Sequence, residues 1–197
     1  ETPLFNPGIT IKEKDVEQSH LCIGFPALAL KDKRMYDLVI LDSIIGSAMS
    51  SRLFQEVREE RGLAYSVYSY YTSYEDGGSF IIYGGTSPEK TNELYETIDG
   101  IIKRVLIEGV TENEIEQAKE HVIGSFLLSL ESTESRMSRN GRNEIVFQHH
   151  RSIDDVVLEI QSVDRENILQ IANQILGTER AISIIAPKET IDSITFI

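Results

Sequence analysis

The sequence has a single cysteine, no tryptophan and only 5 prolines. Because one thiol cannot form an internal disulfide, we predict that Cys22, in the apolar run LCIGF, is a buried and unreactive thiol. No apolar run approaches the roughly 20 residues that span a bilayer. The first residues, ETPLFNPGITIKEK, lack the basic and apolar regions of a signal peptide. These absences favour a cytoplasmic protein without a membrane-spanning segment.

Basic residues are also scarce, with 19 Lys and Arg against 32 Asp and Glu, for a net charge of -13. So much negative charge disfavours nucleic acid or an anionic membrane surface as the main partner. It is compatible with a basic substrate, and also with an acidic surface that serves solubility, the commoner use. The 41% hydrophobic and 26% charged content is ordinary for a globular protein.

Apolar periodicity and turn residues divide the chain into strands and helices. Strands are predicted at 9–14, 19–30, 64–75, 79–85 and 181–186, with a hairpin turn at Asp76-Gly77-Gly78. Helices are predicted at 33–48, 51–61, 88–108, 112–131 and 133–148, and two more follow Ser152 and Asp164. Residues 1–8 are predicted to be a lead-in or linker, and the tail 188–197 either one more strand or irregular. Because helices and strands are segregated, we expect 9–197 to form one α+β domain. Its single sheet should have about five to six strands, largely antiparallel, with helices mainly on one face.

Two polar side chains stand out in the run MSSRLFQEVREERGLAY, residues 49–65. Arg58 lies near the end of a predicted helix that Gly62 closes, and Tyr65 begins the next strand. Across this turn, their seven-residue spacing can bring a guanidinium and a phenol to one surface, where both can donate hydrogen bonds to a carbonyl or an oxyanion. The alternative is that Arg58 is a solvated helix charge and Tyr65 a packed strand aromatic. Upstream, Gly46 interrupts the first helix, as a flexible loop over a site or as a joint between helices.

Residues that bind metals do not cluster in the sequence. The adjacent His149 and His150 would point in different directions on a helix, so a shared metal is not expected. The segment from Gln117 to His121 reads Q-x-x-E-H and lacks the first histidine of the zinc motif H-x-x-E-H. Glutamine is not a normal zinc ligand, so we interpret the match as a coincidence on an amphipathic helix.

Three runs follow one another along the chain: SSRLFQEVREERGLAYSVYS, GSFIIYGGTSPEK and GVTENEIEQAKEHVIGSFLLSLESTESRMSRNGR. Together they resemble the C-terminal half of the pitrilysin-type (M16) zinc peptidases, the family of mitochondrial processing peptidase and insulin-degrading enzyme. The likeness covers about residues 9–187 and is strongest to the bacterial processing proteases. It implies two similarly folded halves that close around a peptide, with zinc held by H-x-x-E-H in the other half.

The resemblance also implies roles for residues of this chain. Arg58 and Tyr65 match, in type and spacing, an Arg and a Tyr that orient the peptide near its scissile bond and stabilise the developing oxyanion. No metal ligand and no complete catalytic set is expected here; zinc would belong to the complete enzyme, a metalloendopeptidase, and this chain alone would be inactive. The partner would be a zinc-bearing N-terminal half, on the same polypeptide or a separate subunit, although isolated copies can also pair as a homodimer. The alternatives are a structural core subunit and a free-standing peptide-binding module of the same fold.

Overall fold

The sheet of this protein is seen in a computed structural model that describes residues 3–195. Its strands are β1 (Gly8–Glu13), β2 (Ser19–Ala27), β3 (Ala64–Ser73), β4 (Gly78–Thr86) and β5 (Ala181–Ala186). Within the described residues these five form one sheet in the order β1-β5-β2-β4-β3. β1 pairs parallel to β5, and the other neighbours pair antiparallel. The expected α+β class with a largely antiparallel sheet is confirmed.

The helices follow the predicted order, and several segments take a π-helical form. The α-helices are α1 (Met35–Asp42), α2 (Thr91–Glu108), α3 (Glu112–Ser129), α4 (Thr133–Arg142), α5 (Ile153–Gln161), α6 (Arg165–Leu176) and α7 (Lys188–Ser193). The π-helical segments are π1 (Ser43–Ser47), π2 (Leu53–Glu60) and π3 (Asn143–Phe147), and a 3-10 turn, Pro88–Lys90, precedes α2. The first predicted helix is therefore α1 continued by π1, and the second is π2.

The two ends of the chain differ in detail from the prediction. Residues 3–7 belong to no helix or strand, and β1 begins at Gly8, one residue earlier than expected. The tail was expected to be a strand or irregular, which is wrong, because Lys188–Ser193 form a short helix after Pro187. Proline at the helix N-cap loses no helical hydrogen bond by lacking an N–H, so it can end β5 and precede a helix. Residues 1–2 and 196–197 lie outside the described residues.

Local sequence signals account for several element boundaries. Tyr74 N–H donates to the carbonyl of Gly77 at 2.7 Å in the turn between β3 and β4, so the hairpin forms where the glycines predict it. Thr111 forms a reciprocal capping box with Glu114 at the start of α3. Ser152 does the same with Asp155 at the start of α5. Each box satisfies two backbone donors that the first helical turn leaves unpaired.

The sheet has one face covered by helices and one face that is not, which we call the open face. Along β2, Leu21, Ile23 and Phe25 are buried, and the strand packs against α2 and α6. Cys22 and Gly24 alternate with them and lie on the open face, where they are only partly buried. Cys22 is therefore not the fully buried thiol that the apolar run predicts, although burial does raise its pKa.

Candidate functional site

Arg58 is presented by π2, which joins the core through its opposite side. Leu53 and Val57 on π2 are completely buried, so the flank that carries Phe54 and Arg58 faces outward. Gly62 ends the segment with φ +56°, a left-handed conformation that glycine adopts without a steric penalty. The N–H of Leu63 then donates to the carbonyl of Val57 at 2.9 Å, which closes the turn. This turn directs the chain straight into β3.

Tyr65 occupies a β-bulge at the start of β3. Ala64 is opposite Thr86 on β4 and Ser66 is opposite Gly85, so Tyr65 has no residue across from it. A bulge inserts an extra residue and redirects the side chains around it. Strict alternation along β3 would place Tyr65 on the same face as Val67. The bulge breaks this alternation, because Val67 is buried whereas Tyr65 is 80% exposed. The alternative that Tyr65 is a packed strand aromatic is excluded by the same exposure.

The guanidinium of Arg58 lies between two aromatic rings. Its central carbon is 4.4 Å from the ring centroid of Tyr65 and 4.7 Å from that of Phe54. Both distances are within the range of a cation–π contact. Arg58 Nε is also 3.6 Å from a carboxylate oxygen of Glu59. The seven-residue spacing does bring the guanidinium and the phenol together, while what the pair binds stays a prediction.

Hydrogen-bonding capacity remains free at this pair. Within residues 3–195, the Tyr65 hydroxyl has no hydrogen-bond partner, and the terminal nitrogens of Arg58 make none either. A guanidinium presents five N–H donors in a fixed fork, and a phenol adds one donor beside it. The contacts with the two rings restrain the position of the guanidinium. The two side chains can therefore donate hydrogen bonds to a carbonyl oxygen, and can stabilise a negative charge that develops on such an oxygen.

The pair borders a cleft of about 260 Å³ between π1 and the start of β3. Its lining residues are Gly46, Ser47, Ala48, Met49, Phe54, Arg58, Tyr65, Ser66, Val67 and Tyr68. Gly46 belongs to π1 and packs directly against β3, since a Cβ there would lie 2.5 Å from the amide nitrogen of Ser69. Of the two alternatives for this segment, the structure shows the joint between helices.

A buried carboxyl group lies beneath this cleft. The hydroxyl of Ser69 donates to Asp42 Oδ1 at 2.5 Å, which links the last turn of α1 to β3. Burial raises the pKa of Asp42, and hydrogen bonds from Ser69 and Ser47 only partly oppose that rise. Because Ser47 also lines the cleft, this network connects the cleft wall to the core.

The described part of the chain offers no site for a metal ion. Between residues 3 and 195, no group of three or more His, Cys, Asp or Glu side chains is placed to hold one. Gln117 and His121 both lie on α3 without further ligands around them. The described residues therefore supply no set of side chains that could bind zinc.

No helix among the described residues is both long and apolar enough to cross a bilayer.

The fold and the cleft define an α+β domain in which a partly buried arginine and an exposed tyrosine line one cleft. Residues 1–122 match the family described as the Peptidase M16 inactive domain. The chain is also 44% identical over 193 residues to the uncharacterized zinc protease YmxG of Bacillus subtilis (strain 168). The match covers 98% of this chain and 47% of that protein. The chain thus belongs to the peptidase M16 family, and it spans about half the length of this curated relative.

Solved structures show the same fold. A peptidase M16 inactive domain from Pseudomonas fluorescens superposes with a TM-score of 0.83 at 24% identity, over 91% of this chain and 43% of that chain. A chain of Complex III2 from Candida albicans superposes with a TM-score of 0.80 at 16% identity, over 95% of this chain and 47% of that chain. At these identities the likeness establishes the fold alone. The expected likeness to an M16 C-terminal half is confirmed by the family match over residues 1–122 and by the similarity to YmxG.

Proposed function

We propose that this chain is the non-zinc half of a zinc metalloendopeptidase, in which it binds and positions a peptide inside a chamber closed by the zinc-bearing half. The observation that carries the proposal is the Arg58 guanidinium, stacked between Phe54 and Tyr65 at the edge of a cleft. Membership of the M16 family supports it, as does a relative named a zinc protease that is about twice as long as this chain. Zinc would be held by the other half, on the same polypeptide or on a separate subunit.

The chemistry assigned to this chain is substrate positioning and charge stabilisation. Arg58 and Tyr65 donate hydrogen bonds to the carbonyl oxygen at the scissile bond, and these bonds strengthen as that oxygen becomes negative. The two rings hold the guanidinium in place beforehand, so little reorganisation is needed when substrate arrives. Since the described residues do not form a zinc site, no step at the metal is assigned to them.

The test uses the two-half protein and a fluorescence-quenched peptide library. Arg58→Gln and Tyr65→Phe each remove donors, so each is expected to cost about 2–4 kcal/mol of transition-state stabilisation, which lowers kcat/KM roughly 30- to 1,000-fold. Bound zinc, measured by elemental analysis, should stay equal to the wild type. The matched control is Arg61→Gln, an exposed arginine that is ion-paired with Glu56 and Glu93 and lies outside the cleft lining. Unchanged turnover in both Arg58→Gln and Tyr65→Phe would show that these residues have no part in the mechanism.

A structural core subunit is the second candidate function. The fold likeness to a chain of Complex III2 favours it, because a protein of this fold occurs in that assembly. Under this alternative the two-half protein would contain no stoichiometric zinc and would cleave no peptide in the same assay. A free-standing peptide-binding module would instead show peptide affinity in residues 1–197 alone. Zinc content, turnover and peptide binding therefore separate the three.

A further inference from the structure

The open face of the sheet carries a trough that the site described above does not include. One row of paired residues crosses the five strands in the order Tyr70, Ile81, Gly24, Ala181 and Gly8. Three of these five residues have a methyl side chain or none. Because side chains stand perpendicular to a sheet, a row that is large at one end and small at the other leaves a depression beside the large residues.

The trough has defined walls and a volume of about 490 Å³. The ring of Tyr70 bounds it on the β3 side, and Asn6 and Pro7 of the lead-in segment bound it on the β1 side. Gly24 and Ala181 lie in the floor with Cys22 and Ser183 of the adjacent row. This volume is within the range of known small-ligand pockets, about 300–1,000 Å³.

The residues that line the trough are all uncharged. Its residues are Asn6, Pro7, Gly8, Ile9, Thr10, Cys22, Gly24, Tyr70, Ile81, Ala181, Ile182 and Ser183, none of which is charged, in a chain that is 26% charged. A charged side chain placed here would lose hydration without gaining an ionic partner, which is costly. An aliphatic or aromatic side chain would instead bury apolar surface against Tyr70, Ile81 and Pro7.

Two tyrosines join this trough to the Arg58–Tyr65 cleft. Tyr68 lines the cleft and Tyr70 lines the trough, and their ring centroids are 6.1 Å apart. Tyr68 also packs against Tyr83 of β4, with 5.0 Å between the ring centroids. The hydroxyl of Tyr83 in turn lies 2.7 Å from His20 Nδ1. Tyr65 precedes Tyr70 by five residues in β3, which corresponds to roughly 16 Å at about 3.3 Å per residue. An extended peptide covers that length in about four or five residues.

We propose that this trough is a specificity subsite for one large uncharged apolar side chain of the peptide, four or five residues from the bond that is cleaved. The proposal rests on the proposed function and deepens it, because it assigns a substrate preference to a surface of this chain. The cleft then holds the carbonyl, and the trough selects a side chain farther along the same peptide.

Gly24 allows the trough to be filled without distorting the fold. A Cβ built on Gly24 would meet only the carbonyl oxygen of Ala181, at 3.8 Å, which is an ordinary contact. Valine also suits a strand, so Gly24→Val should occupy the trough and keep the sheet. The matched control is Gly124→Ala on α3, where an added Cβ has no atom within 4 Å. Should Gly24→Val fail to fold by circular dichroism, Ser183→Val fills the same floor from an exposed position on β5.

The experiment measures kcat/KM of the two-half protein on peptides varied at each position up to five residues from the cleaved bond, on both sides. At one position four or five residues away, we expect Phe or Leu to exceed Lys or Glu by about ten-fold or more. Gly24→Val should remove that preference, while cleavage of peptides with Ala at that position stays within about two-fold and Gly124→Ala matches the wild type.

Each outcome separates the two proposals. A preference that persists in Gly24→Val, or no preference at these positions in the wild type, overturns the subsite while leaving the peptidase assignment intact. An absence of any peptide cleavage by the wild-type two-half protein overturns the proposed function itself, and the subsite with it.

Discussion

Arg58 and Tyr65 contribute little to folding, which sets them apart from the core residues around them. Tyr65 is 80% exposed, and a cation–π contact at an exposed site is worth about 0.5–1 kcal/mol. Two or more such donors aimed at a developing oxyanion are worth several times as much in a transition state. The stacked pair therefore makes better physical sense as a binding device than as a stabilising one.

At the same scale, Asp42 predicts a pH dependence of stability. Burial raises its pKa, so the folded state holds the proton more tightly than the unfolded state does. The resulting stability is fully present below the unfolded pKa, about 3.9, and is lost as pH rises through the folded pKa. Asn at this position still accepts from Ser69 and carries no charge. Asp42→Asn should therefore raise the free energy of unfolding more at pH 7 than at pH 4, as measured by urea denaturation.

The control for this prediction is Asp76→Asn, in the exposed hairpin turn between β3 and β4. Because Asp76 is solvated, the same loss of charge should change stability little at either pH. A stabilisation by Asp42→Asn that is equal at both pH values, or a loss of stability at pH 7, would contradict the assignment.

At the scale of elements, the contact between π1 and β3 determines the shape of the cleft. A Cβ on Gly46 would lie 2.7 Å from both Leu53 Cδ1 and the Ser69 hydroxyl oxygen, in addition to its clash with the Ser69 amide nitrogen. Two of these three atoms belong to β3, and the nearest is backbone, so the joint has no room to accommodate a side chain. Glycine is needed here for close approach and not for an unusual φ.

Gly46→Ala should accordingly destabilise the protein by about 1–3 kcal/mol, the usual cost of overpacking a core. It should also lower peptide turnover, because the displaced segment lines the cleft. Gly124→Ala is the control, since it places the same methyl group in open space within a helix, where Ala is favoured over Gly by about 1 kcal/mol. Chemical denaturation measures the free energy of unfolding of both variants. If Gly46→Ala leaves that free energy unchanged, π1 can move away from β3, which would contradict this prediction.

At the scale of the whole molecule, the described residues form no group that could hold a metal ion. We therefore expect residues 1–197 to bind no stoichiometric zinc and to hydrolyse no peptide on their own. Elemental analysis and the peptide-library assay, each with and without a chelator, check this. Chelator-sensitive hydrolysis by the isolated chain would contradict the assignment of zinc to another half.

Local chemistry was enough to predict most elements and the contact at the site. Capping boxes at Thr111 and Ser152, the glycine turn after β3 and apolar periodicity depend on residues a few positions apart, so they can be recognised in sequence. The seven-residue spacing of Arg58 and Tyr65 is equally local, because a single turn joins π2 to β3. Their resemblance to a family pattern added a role that spacing alone left open.

Tertiary pairing decided what sequence patterns could not. The bulge that exposes Tyr65 is a change of register between β3 and β4 at Ala64 and Ser66, which depends on how the two strands pair. The trough depends on Gly24 and Ala181 lying side by side although they are more than 150 residues apart in the chain. The sequence alone thus determined that Arg58 and Tyr65 can meet at one surface. The long-range pairing of strands determined that Tyr65 is exposed and that the trough lies near it, because strand register is set by contacts across the whole sheet.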